Sequence, residues 1–146
     1  MYDTSNDSKL LLDTVQKFMN DEIYPHEDRV DKLGYVPDEI GKQIEEKSKE
    51  VGLFAANLPE KYGGGGLDYS SMMVVEREYG KTSHALHSWI ARPTEILLAC
   101  TENQMKEYLY PCVKGDKREL FALTEPDAGS DICLLYTSDA ADEWRS

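Results

Sequence analysis

This sequence is short of positive charge. Lys and Arg number 16 against 28 Asp and Glu, a formal net charge of -12, and the largest basic cluster is the adjacent pair Lys117-Arg118. A nucleic-acid binder needs a basic face to neutralise phosphates, so that class is excluded. Anionic cofactors are not, because a few backbone N–H groups can hold a phosphate locally. Cysteine is scarce: Cys100, Cys112 and Cys133 are odd in number and form no CxxC. Neither a disulfide framework nor a zinc knuckle follows, and free thiols of a reducing compartment are expected. No apolar run approaches the ~18 residues of a membrane span. The N-terminus, MYDTSNDSK, is acidic and polar. It has neither the basic start and apolar stretch of a secretion signal nor the arginines of a transit peptide, so a cytoplasmic location is expected.

What is present is ordinary for a globular chain. Of 146 residues, 40% are hydrophobic and 30% charged, enough for one domain with a real core. The first two thirds read as helices. Leu11, Val15, Phe18 and Met19 give one helical face between Asn6 and Ile23, with Ser5 or Asn6 as cap and Pro25 as stop. HEDRVDKLG reads as a polar stretch. In VPDEIGKQIEEKSKEVGLF, Pro37 suits a first helical turn, Asp38 and Glu39 favour its positive end, Ile40, Ile44 and Val51 share a face, and Gly52 is a stop. ANLPEKYGGGGLD reads as a loop. Asp68 or Ser70 starts the next helix, with Met72, Met73, Val75 and Tyr79 as core candidates and Gly80 as its end. HALHSWIARPTEILLACT is apolar enough for burial on most sides, with Pro93 kinking it or opening a new helix. Thr101 and Gln104 form a capping box, and Pro111 and Gly115 close that helix.

The texture changes at Glu119. Leu120 to Thr124 is a short apolar run bounded by polar residues before and by Pro126 and Gly129 after, the pattern of a strand. A strand needs partners, and nothing else here offers a good one, so the polypeptide is expected to stop early. The following TEPDAGSD leaves two readings open. It is a plain strand-terminating turn, or a backbone flanked by small side chains that approaches a flat or anionic ligand. Gly63 to Gly66 lack the Lys-Ser/Thr of a phosphate loop and read as a flexible connector. His84 and His87 have HxxH spacing, but without a third ligand no metal is expected. Cys112 carries no nucleophile motif.

The string Phe121 to Asp131, FALTEPDAGSD, resembles the signature of the acyl-CoA dehydrogenase family, with Asp127 where the usual wording has Gly. LPEKYGG, VEREYGKTS and NQMKEYLYPCVKGDKRELFALTEP resemble further landmarks in the same order. The resemblance implies a mainly α fold: an N-terminal helical bundle domain over 1–118, then over 119–131 the first strand and flavin-contacting turn of a truncated middle β-domain. It implies FAD as cofactor and the α,β-dehydrogenation of acyl-CoA thioesters in fatty acid metabolism. Electron-transfer flavoprotein or a similar acceptor would be the partner, in a homo-oligomeric full-length enzyme. Carried over residue by residue, Phe121, Leu123 and Thr124 would lie along the flavin ring, while Gly129 and Ser130 would approach its ribityl-pyrophosphate or the thioester ligand. Glu125 and Asp131 are turn residues on this reading. The catalytic Glu is expected in a missing C-terminal domain. Trp89 and Arg92 fall where the family lines part of its acyl pocket, but the alignment there needs extra residues and they are not assigned.

From Cys133 the resemblance ends. CLLYTSDAADE, Cys133 to Glu143, resembles a translated transposon-type sequencing adapter in all eleven residues, so 132–146 are expected to be a non-native tail. Two other functions remain beside the main one: an acyl-CoA oxidase or flavin monooxygenase on the same scaffold, and a helical interaction module with no redox role.

Overall fold

The computed structural model describes residues 6–120, 122–125 and 129–130, and among them the fold is helical. Helix α1 (Asn6–Phe18) runs into a π-helical turn (Met19–Ile23) and a 3₁₀ turn (Tyr24–His26), then α2 (Glu27–Leu33). Next come α3 (Asp38–Glu50), a 3₁₀ turn (Glu60–Tyr62), α4 (Tyr69–Tyr79) and the single turn α5 (His84–His87). A 3₁₀ segment (Glu95–Ala99), α6 (Glu102–Gln104), a second π turn (Met105–Leu109) and α7 (Tyr110–Lys114) complete the order. The mainly α expectation is met. Ser5, offered as a cap for α1, lies outside the described residues, as does the 132–146 tail.

The apolar spacing builds the core where periodicity placed it. Val15, Phe18, Met19 and Ile23 pack with Ile40 and Ile44 of α3, Val75 and Tyr79 of α4, and Leu86 and Ile90 beyond them. Helices α1 and α4 run against each other. A second cluster joins Phe54, Ala55 and Leu58 to Leu109 and Val113. Two core candidates are corrected: Val51 is 45% exposed because it caps α3, and Met73 is 61% exposed because it points off the α1 side of α4.

The ends of α3 and α4 follow local chemistry. Beyond Glu50, Leu53 N–H donates to Ser48 O at 2.9 Å and Gly52 N–H to Lys49 O at 3.2 Å, with Gly52 at φ 74. That is the paired bonding of a left-handed C-terminal stop, which a glycine adopts without steric cost. Asp68 caps α4 by accepting from Ser71 N–H at 2.7 Å. The capping box at Thr101 and Gln104 forms as expected.

The prolines do otherwise than expected. Pro25 does not stop the first helical run, and HEDRVDKLG is not a plain polar stretch, since α2 lies within it. Pro111 likewise sits inside the last helical run, which Gly115 ends. The reason is the same at both sites. A proline lacks the N–H for the i→i−4 bond. Here the turn before it widens: Tyr24 N–H donates to Met19 O, and Tyr110 N–H to Met105 O. The carbonyl of Glu107, four residues before Pro111, accepts instead from Lys117 Nζ at 2.9 Å. The two sites share a wording, MNDEIYP and MKEYLYP. Pro37, in turn, is the N-cap of α3 rather than part of its first turn. HALHSWIARPTEILLACT is not one buried segment; only α5 and a 3₁₀ stretch are regular, and Ile96 is 75% exposed.

One buried group is left without a partner. The Tyr79 side chain is 1% exposed, and its hydroxyl makes no hydrogen bond among the described residues. Burial first, then Glu76, pushes that hydroxyl far above its ordinary pKa, against the pull of Arg92. An unsatisfied buried hydroxyl costs ~1–3 kcal/mol. Tyr79→Phe is therefore expected to stabilise the chain by about 1 kcal/mol, a rise of roughly 3 °C in melting temperature. A thermal melt followed by circular dichroism checks it, and a lowered midpoint would contradict the geometry.

Candidate functional site

The glycine run is what shapes the site. Gly65 N–H donates to Ala55 O at 3.1 Å, Gly66 N–H to Leu58 O at 2.9 Å and Leu67 N–H to Ala56 O at 2.9 Å. The loop thus lies flat on residues 55–58. It is no flexible connector: a Cβ on Gly64 would stand 2.2 Å from Leu58 O, and one on Gly65 2.9 Å from Ala56 Cα. Residues 55–57 then hold the next layer. Ala55, at φ 51, donates its N–H to Ala91 O at 2.8 Å, and Asn57 Nδ2 donates to Pro93 O at 2.8 Å.

This bracing presents the segment 88–93 as one wall of a cleft of about 430 Å³. Residues 117–120 supply a second wall, and Cys112 and His84 also line the space. Ile90, Ala91, Pro93 and Leu120 supply apolar surface; Arg92, Lys117 and Arg118 supply charge. Each of these cations is already held. Arg92 pairs with Glu76, Lys117 with the Glu107 carbonyl, and Arg118 Nη2 with Glu45 Oε2 at 2.9 Å. Burial alone would raise the Glu45 carboxyl, but hydrogen bonds from Lys49 and Arg118 outweigh it and hold the pKa below the usual value. The Arg118 guanidinium also lies 3.9 Å over the Trp89 ring, the range of a cation–π contact. Glu119 accepts from Thr94 N–H and so staples the two walls together. Burial, then Glu119, pushes the Cys112 thiol up, against a smaller opposing effect of Lys117. A raised thiol is a poor nucleophile, in line with its lack of a motif.

The residues carried over from the signature stand beside this cleft rather than in it. The cleft ends at Leu120, which is 90% exposed. Leu123 and Thr124 follow it and are exposed, as are Gly129 and Ser130; a Cβ on Gly129 would meet nothing within 4 Å. Phe121 lies outside the described residues. The strand expected from Leu120 to Thr124 does not form among them, and Glu125 alone makes a β-bridge. A strand has no stability without a partner to accept and donate its ladder bonds. Ile90, Cys112, Lys117 and Arg118 are not marked as site residues by the sequence, and Arg92 is left unassigned by it. The signal available was position: KGDKREL leads directly into the signature, and Trp89 and Arg92 were already noted as neighbours of an acyl pocket.

Comparison with known proteins gives the same reading. Residues 5–116 match the profile "Acyl-CoA dehydrogenase, N-terminal domain". The 3-(aryl)acrylate reductase of Clostridium sporogenes is 34% identical over 135 residues, 89% of this chain and 35% of that protein. The caffeyl-CoA reductase-Etf complex subunit CarC of Acetobacterium woodii is also 34% identical, over 89% of this chain and 34% of its own length. Among solved structures, the acyl-CoA dehydrogenase of Bacillus anthracis complexed with FAD superposes with a TM-score of 0.73 at 28% identity, covering 90% of this chain and 23% of the other. The chain spans about a third of the length of these curated relatives. With its bundle, its landmark loops and residues 5–116 all in agreement, the chain belongs to the acyl-CoA dehydrogenase family, whose N-terminal helical domain it carries.

Proposed function

We propose that the cleft and the run after Leu120 form one wall of a flavin and thioester site, and that the chain serves an FAD-dependent oxidoreductase acting on the CH–CH group of acyl-CoA thioesters. The observation that carries this is continuity: the apolar side of the cleft opens at Leu120, where the signature begins. The residues present fit a flavin. Leu123 offers an exposed apolar surface, Thr124 a methyl and a hydroxyl, and Gly129 and Ser130 a backbone open to close approach. Phe121 completes the set by the family pattern. FAD, when bound, supplies the hydride acceptor. The cleft's own residues bind and orient: Ile90, Pro93 and Leu120 exclude water from an acyl group, and the Glu119 staple holds the two walls at a fixed separation. Glu119, the carboxylate among the described residues lining the cleft, accepts from Thr94 N–H. On the family resemblance, the base is assigned to a Glu of a further domain, and electron-transfer flavoprotein to the role of redox partner.

A second reading concerns direction. Two relatives at 34% identity are named reductases of aryl-substituted acrylates or their thioesters, which favours enoyl reduction over acyl oxidation as the working direction.

A chimera tests both. The chain is joined after Asp131 to the remaining domains of the C. sporogenes relative, and flavin absorbance and turnover are measured in each direction. The chimera is expected to hold FAD, and Leu123→Asp within it to weaken flavin binding about tenfold, the loss from one buried leucine contact. The 146-residue chain alone is expected to retain none. Stoichiometric flavin on the chain alone, or an unaffected Leu123→Asp chimera, would contradict the one-wall reading.

A further inference from the structure

One pair of side chains, of which His84 lines the cleft, has no part in the reading above. His84 Nδ1 lies 3.1 Å from His87 Nε2, the rings meeting edge-on at 77° with centroids 4.8 Å apart. His84 is exposed and lines the cleft. His87 turns inward, with its ring 6.1 Å from that of Tyr79. Its second nitrogen, Nδ1, is buried and has no hydrogen-bond partner among the described residues. The charged and titratable groups around it are Glu76 and Tyr79 from α4, Arg92 from the following segment, and His84 on its own turn.

A metal does not suit the pair. No group of three or more metal-ligating side chains exists among the described residues. The ligand histidines of metal sites also have their second nitrogen fixed by a carboxylate or carbonyl, and His87 Nδ1 is not. The chemistry of the pair is that of protons.

Counting hydrogens shows what it does. A nitrogen–nitrogen contact of 3.1 Å needs one hydrogen between the two atoms. With both rings neutral, that hydrogen belongs on His87 Nε2. The alternative puts an N–H on buried Nδ1 with nothing to accept it, and orphaned buried N–H groups are the rarer and costlier kind. A proton added to His84 turns its Nδ1 into a donor facing a donor. The contact then survives only if His87 moves its own hydrogen to the buried Nδ1. A proton added to His87 goes to that same buried nitrogen. Two protons make both rings cationic donors. Every protonated state either buries an unpartnered N–H or breaks the contact.

We propose that His84 and His87 form a proton-sensitive latch beside the cleft, closed when both rings are neutral and open, with the two rings parted, once the pair takes up a proton. The turn that carries them is short enough to move, being only four residues between Ser83 and Ser88. Opening changes the cleft's charge in a way its other cations do not, because Arg92, Lys117 and Arg118 are each held by an acceptor already. Low pH thus adds a cation without an acceptor among the described residues of the cleft, which favours an anionic ligand such as a carboxylate or phosphate. Burial, then His84 and Arg92, holds the His87 pKa below the ordinary imidazole value. A depressed histidine contributes stability while it is uncharged, so that contribution is present above about pH 6.5 and is lost as pH falls below it.

For its functional meaning the latch rests on the cleft reading above, but its test needs no flavin. The ¹⁵N-labelled 146-residue chain is titrated from pH 8 to pH 5 by imidazole NMR, where three histidines give three assignable rings with His26 as reference. At pH 8, His87 is expected to carry its hydrogen on Nε2. The His87 signals are then expected to move at the His84 midpoint, and His84→Gln to abolish that shared step. His87 protonated on Nδ1 at pH 8, or independent midpoints for the two rings, would overturn the latch. The tautomer reading comes from the wild-type chain, so it holds whether or not the variant folds.

Discussion

Gly64→Ala is expected to destabilise the chain by about 3 kcal/mol, at the upper end of overpacking costs. The new Cβ would lie 2.2 Å from the Leu58 carbonyl oxygen and 2.6 Å from its carbon. Both are backbone atoms, so no side chain can swing aside. Relief requires the loop to lift, and lifting it stretches the bonds from Gly65 to Ala55 and from Gly66 to Leu58. The same residues 55–57 hold Ala91 and Pro93, so the cleft wall loosens with the loop. Urea unfolding measures the effect, expected as a fall of roughly 1–2 M in midpoint. Gly34→Ala is the control. It sits at φ 75 with nothing within 4 Å of its Cβ position, so it pays only the left-handed backbone strain of about 1–2 kcal/mol. If the two variants lose equal stability, close backbone approach is not what the glycine run provides.

Gly41→Ala is expected to cost about 2 kcal/mol, and its sign is the informative part. Gly41 is in the interior of α3, where helix propensity alone predicts a gain of about 1 kcal/mol from alanine. Packing opposes it. The Cβ would stand 2.2 Å from Trp89 Cε2. That indole is pressed between the α3 backbone and the Arg118 guanidinium, so displacing it also breaks the Arg118 stack on the cleft side. A fall in urea midpoint accompanied by a shift in Trp89 emission is the expected pair of results; read in a Trp144→Phe background, the emission reports one indole. A stabilised Gly41→Ala would mean that the indole does not rest on the helix.

Much of the fold was legible because its causes are local. Asp68, Gly52 and the Thr101–Gln104 box each act within four residues, and each does what its chemistry dictates. The core face of α1 was equally plain from spacing. What was not legible depends on distant partners. Nothing in GGGG announces that the backbone of residues 55–58 lies against it. Proline chemistry argued for stops at Pro25 and Pro111, because a widened turn before a proline is rarer than a helix end there. The site was half legible. The signature marked where a ligand surface begins, whereas the cleft next to it is assembled from 88–93 and 117–120, whose meeting depends on the Glu119–Thr94 staple across 25 residues.

Each π turn is one residue more than an α-helix needs. Deleting that residue from MKEYLYP would swing everything beyond round the axis by about 100°, while Pro111 would still donate no backbone bond. Cys112 would leave the cleft and Val113 would leave the second core cluster. Insertions and deletions at these two places are therefore steering events for the whole segment that follows, not neutral changes of length.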